Sequence, residues 1–127
     1  MAVIKNLNIK ILKSPGAMFG AEIQTDAVEL GNAQAVHFVI ASGEGAPIQT
    51  KVQILAQRGE EDAVIIREED VTIGDNTENK IVVAAREICK NEQDSVYLVI
   101  PNLGVNILGT VFVVLTNHRY NAESMEG

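Results

Sequence analysis

The chain has 127 residues, 46% of them hydrophobic, with 17 acidic and 10 basic side chains and a net charge of −7. That length suits one domain, residues 1–127, able to bury roughly two-thirds of the surface its unfolded chain exposes. The acidic balance excludes a nucleic-acid partner, which needs clustered lysine and arginine. No apolar run reaches the ~20 residues of a spanning helix, so no membrane partner is expected either.

The chain opens on "MAVIKNLNIKILKSPGAMFG". It lacks the continuous apolar block of a signal peptide, so synthesis and assembly in a cytoplasm are expected. "VIKNLNIKIL" has strand character, and "SPGAMFG" sets Met18 and Phe19 beside glycines. Two readings stand side by side. Residues 1–20 form an arm that lays Met18 and Phe19 on a neighbouring subunit, or the two side chains cap the core. After the short "AVEL", "AVHFVIA" is a β-rich run, and "SGEGAP" supplies glycine and proline for a hairpin to "IQTKVQILAQ". In that next run Ile48, Thr50, Val52, Ile54 and Ala56 share one face, a period of two with Leu55 as the exception. "DAVIIR", "DVTI", "KIVVAA", "DSVYLVI" and "GTVFVVLT" follow, separated by "EE", "GDNTEN", "ICKNEQ" and "PNLGVNILG" as turns or loops. "VAAREICKNE" is the one candidate for a short helix. In the last run Val111, Val113 and Leu115 oppose Phe112 and Val114. Both faces are apolar, which marks an interior strand or one covered by a partner. The tail, residues 121–127, is too short and polar to pack by itself.

About eight short, evenly spaced strands predict an all-β sandwich or barrel, and analogy among such folds selects an antiparallel sandwich, a jelly-roll-like Greek key. Chemistry is sparse. His37 and His118 lack metal-ligand spacing, so no metal or cofactor is expected, and His37 reads as a core or interface histidine. Lone Cys89 excludes an intrachain disulfide and reads as a buried thiol. The acids at Glu60-Glu61-Asp62 and Glu68-Glu69-Asp70 read as solvated turns and edges, and "GDNTEN" around Asp75 lacks the spaced acids of a calcium loop. No nucleophile motif occurs, so the chain is read as no enzyme. Without tryptophan, and with 4% aromatics, a carbohydrate-binding or host-surface module is a weak alternative.

The succession "TDAVELGNAQAVHFVIASGEG", "TKVQILAQRGEEDAVIIREEDV", "DSVYLVIPN" and "GTVFVVLTNHRY", from Thr25 to Tyr120, resembles a group of small tailed-bacteriophage proteins encoded among virion structural genes. Where related chains carry a D-D-G-T-W turn, this one has "QRGEEDAV". The resemblance implies a structural protein located in the virion. It would decorate or cement the capsid by contact with the major capsid protein, as a homo-oligomer, dimer or trimer. A neck or tail component, either head–tail connector or tail-tube subunit, is the alternative. Met18, Phe19, Arg119 and Tyr120 are the candidate interface residues. Tyr120 is placed to cover the open end of the sandwich, and Arg119 to pair within the chain or with the shell.

Overall fold

A computed structural model describes residues 7–31, 33–59, 61–89 and 94–116. Its elements are β1 (Leu7–Met18), β2 (Ile23–Gln24), β3 (Val28–Glu29), β4 (Ala35–Ser42), β5 (Ile48–Gln57), β6 (Val64–Ile73), β7 (Glu78–Ala84), α1 (Ala85–Cys89), β8 (Ser95–Ile100) and β9 (Ile107–Thr116). They form two sheets, one in the order β1-β9-β4-β7 and the other β2-β8-β5-β6, with β3 also paired to β8. Every pairing is antiparallel.

β2 and β3 are one interrupted strand. Ile23 faces Ile100 and Val28 faces Val96, so five steps on one side answer four on the other. Buried Thr25 bridges the gap. Its N–H donates to the Leu98 carbonyl at 3.0 Å, and its hydroxyl accepts the Leu98 N–H at 3.0 Å. With β2 and β3 taken together the described residues form eight strands, four per sheet. Each connection except β5–β6 changes sheet. This is a jelly-roll topology, the member of the sandwich-or-barrel class that analogy selects.

The topology corrects three local readings. "SGEGAP" is no hairpin, because β4 and β5 lie in different sheets and the segment crosses between them. Glu68 and Glu69 do not form a turn; they sit inside β6, opposite Gln53 and Val52. An outer strand has one solvated side and tolerates such charges, which also discourage edge-to-edge pairing. β1 runs on through Ser14-Pro15-Gly16 to Met18, with register shifts at Ile11/Lys13 and Lys13/Gly16 absorbing the proline. The short helix does form, over Ala85–Cys89, and its Ile88 is fully buried.

The interior is filled from both sheets, with Val36, Phe38, Ile40, Val111 and Val113 on one side and Val52, Ile54, Leu98 and Ile100 on the other. Arg67 closes one flank. Its Nη1 donates to the Val82 carbonyl at 2.8 Å, and its Nη2 reaches both Glu87 carboxylate oxygens at 2.8 Å. That clamp ties β6, β7 and α1 across the gap between sheets, its two nitrogens serving separate acceptors as the single ammonium of a lysine cannot.

Met18 and Phe19 belong to this interior, at 5% and 1% exposure. Residues 7–18 are a strand of the sheet, and the two side chains pack as a cap on the core. As outward interface residues they are therefore corrected: buried side chains present no surface to a partner. Phe19 holds a left-handed backbone, φ 82°, which costs a residue of this type about 1–3 kcal/mol. Ring burial offsets it. The ring lies against Gly109, where an added Cβ would stand 3.0 Å from Phe19 Cε2 and 2.7 Å from the Ala41 carbonyl oxygen.

Phe19→Ala is expected to lower unfolding free energy by about 3–5 kcal/mol in a urea titration, the cost of emptying a buried aromatic site. An exposed arm residue would cost less than about 0.5 kcal/mol. Gly109→Ala is expected to lose about 1–3 kcal/mol through overpacking.

Candidate interaction surface

The outer face of the β1-β9-β4-β7 sheet carries two apolar rows that cross all four strands. One runs Ile9, Val114, His37, Val82 and the next Ile11, Phe112, Val39, Lys80, each residue in register with its neighbour. Ile9 and Ile11 are 63% and 61% exposed, Val82 47%, and Leu108 on the same face of β9 67%. Val39 is buried here, apart from the interior cluster, while His37, Phe112 and Val114 are half-buried. The charged residues in these rows and the adjoining Thr110, Ala41, Glu78 row are Lys80 and Glu78, which pair with each other at 3.6 Å. Contiguous apolar surface of this kind marks a contact site.

β1 places its isoleucines against expectation. "NIKI" alternates apolar and polar residues, and the ordinary reading turns isoleucine inward. Instead Ile9 and Ile11 face out with Val114 and Phe112, and Lys10 is in register with Val113, an interior position. Lys10 remains exposed because β1 ends the sheet. Among the described residues β1 is an edge strand, and that edge is blunted by Lys10, Lys13, Pro15 and its two register shifts, devices that disfavour adding another strand. A partner is thereby directed to the face.

The opposite sheet differs. Its outer row Ile65, Leu55, Tyr97 is apolar, but Lys51–Asp70 (3.8 Å) and Gln53–Glu68 (3.0 Å) follow beside it. An open polar hollow of about 570 Å³ is lined there by residues including Gln49, Lys51, Asp70, Thr72 and Asn79. Asn79 is engaged with backbone, its Nδ2 donating to the Thr72 carbonyl at 2.7 Å. Among the described residues no group of three or more His, Cys, Asp or Glu side chains gathers to hold a metal. Asp75 and Asn76 occupy the left-handed positions of a tight turn, φ 55° and 53°, closed by Thr77 N–H to the Gly74 carbonyl at 3.2 Å.

Of the residues singled out in the sequence, Met18 and Phe19 lie in the core, and His37 stands in the middle of the apolar face. Arg119, Tyr120, His118, the tail and the Cys89 side chain lie outside the described residues. The sequence reading missed Ile9, Ile11, Val82 and Leu108. The doubly apolar β9 was the available signal, and its neighbours complete the patch.

Ile9→Thr and Ile11→Thr in dilute protein are expected to change unfolding free energy by less than about 0.5 kcal/mol in urea titrations, as exposed positions do. Val39→Ala, on the same face but buried, should cost about 1–3 kcal/mol.

No family model matches the chain, and no curated protein matches it. Two solved structures are similar. A chain of the Bacillus endospore appendages, described as disulfide-linked pili, shares 9% identity over 88% of this chain and 89% of that one, with a TM-score of 0.42. A chain of the infectious bursal disease virus Gx strain shares 11% identity over 88% of this chain and 32% of that one, with a TM-score of 0.46.

Proposed function

We propose that this chain is a non-enzymatic structural protein of a phage virion, decorating or cementing the capsid shell through symmetric protein–protein contacts. The observation that carries the reading is the apolar face spanning four strands of the sandwich, in whose crossing rows the charged residues are the mutually paired Lys80 and Glu78. A decoration protein works by mass action: it binds the assembled state and so stabilises it. Such a protein acts as a symmetric oligomer, and a rigid sheet face suits the contact between its copies, because little conformational freedom is lost when it docks. The succession of segments from Thr25 to Tyr120, with its resemblance to phage virion proteins, supplies the setting, and the major capsid protein is the proposed partner.

Quantitative mass spectrometry of purified particles tests this. A copy number of the same order as the major shell protein is expected. A copy number of only a few per cent of it would replace decoration with a neck or tail position. Absence from the particle would overturn the structural reading.

A further inference from the structure

We infer that the outer face of the β1-β9-β4-β7 sheet is where a second copy of this chain docks, giving a two-fold dimer sealed sheet against sheet. The inference deepens the contact reading above by naming the occupant of that face.

Three observations select a second copy. The first is charge. The chain carries −7, so two copies repel over most of their surfaces. Across the three crossing rows the charged residues are Lys80 and Glu78, +1 and −1, already paired at 3.6 Å. Two acidic copies can meet here without bringing unpaired carboxylates together. A basic partner would instead be drawn to the acids elsewhere, such as Glu68 and Asp70 on the other sheet. The second is area. Four strands at about 4.8 Å spacing, each about nine residues at about 3.3 Å, present roughly 600 Å² in projection. Side-chain relief raises the accessible area toward the ~800 Å² per partner of a standard stable interface. The third is the form of the surface. A pleated face with exposed Ile9, Ile11, Val82 and Leu108 can interdigitate with its own copy about a two-fold axis, whereas the β1 edge discourages joining edge to edge.

The test is sedimentation velocity of the full chain from about 1 to about 100 µM, a range that brackets micromolar affinity. The wild type should be dimeric at the upper end. Ile11→Glu and Leu108→Glu, both at exposed positions, should each weaken the dimer at least tenfold, about 1.4 kcal/mol. Gln53→Glu on the opposite sheet should leave it intact. Far-UV circular dichroism establishes that each variant is folded. Hydrogen exchange of the wild type gives a second readout that needs no variant, with protection across β1 and β7 rising with concentration. A wild type monomeric throughout, or a dimer that survives both glutamates, would overturn the inference. So would a monomer that Ile11→Glu releases from particles, since the shell would then own this face. The two readings fail separately. A dimer missing from particles removes the virion role alone, and an abundant particle protein that is monomeric in solution removes the dimer alone.

Discussion

The buried hydroxyl of Ser42 holds together the end of the sandwich where its strands change sheet. Its Oγ accepts the Gly74 N–H at 2.8 Å and lies 2.9 Å from the Thr77 hydroxyl, while Ser42 N–H donates to the Thr77 carbonyl at 2.9 Å. Thr77 Oγ1 in turn donates toward the Thr72 carbonyl at 2.7 Å. The two crossing segments, β4 to β5 and β6 to β7, are locked to each other by Asp75 N–H to the Gly45 carbonyl and Asn76 N–H to that of Gly43, each 2.9 Å. The approach is close enough that a Cβ on Gly74, at φ +95°, would stand 2.7 Å from the Ala46 carbonyl oxygen. A jelly roll turns its chain between sheets at nearly every connection, and each crossing removes backbone groups from the ladders. Those groups must find partners or be left buried and unpaired, at about 1–3 kcal/mol each. This network supplies the partners at this end of the sandwich.

The class of fold was legible because period two is a strong signal wherever a strand buries one face. Val52, Ile54 and Ala56 lie where their alternation placed them, and β9 lies between β1 and β4 with one apolar face in the core and the other on the outside of its sheet. What escaped was non-local. "SGEGAP" has hairpin composition, but glycine and proline specify a change of direction without specifying which sheet receives the next strand. Glu68-Glu69 resembled a turn because charge density in the chain does not distinguish a loop from an outer strand. For Met18 and Phe19 the neighbouring glycines left arm and cap equally open, and the left-handed bend at Phe19 decides it by folding the ring back onto Gly109.

The surface was legible only in part, and β1 shows why. A strand's alternation gives two faces but not which one is inside; that is decided by register, and a one-residue slip exchanges them. For β1 the register with β9 sends Ile9 and Ile11 outward and sets Lys10 on the interior side of an edge. Such an arrangement sacrifices burial that the isolated chain had within reach. Burying an isoleucine side chain is worth about 1.5–3 kcal/mol, so two exposed isoleucines leave several kcal/mol for an association to recover. The interior, already filled by Val111 and Val113 from the neighbouring strand, loses little by Lys10.

Edge and face are therefore assigned opposite tasks by the same strand. An inward-facing lysine, a proline and two register shifts make the β1 edge a poor template for another strand, while the isoleucines between them enlarge the face. Natural sheets that must associate without aggregating need this separation, because an open edge accepts any extended chain whereas a face accepts only a complementary shape. The acidic remainder of the molecule reinforces the choice. Repulsion acts across most approaches, and the approach that escapes it is the one on which apolar area is concentrated. Specificity here arises less from any single favourable contact than from the exclusion of the other orientations, which is why so few polar groups are needed at the surface itself.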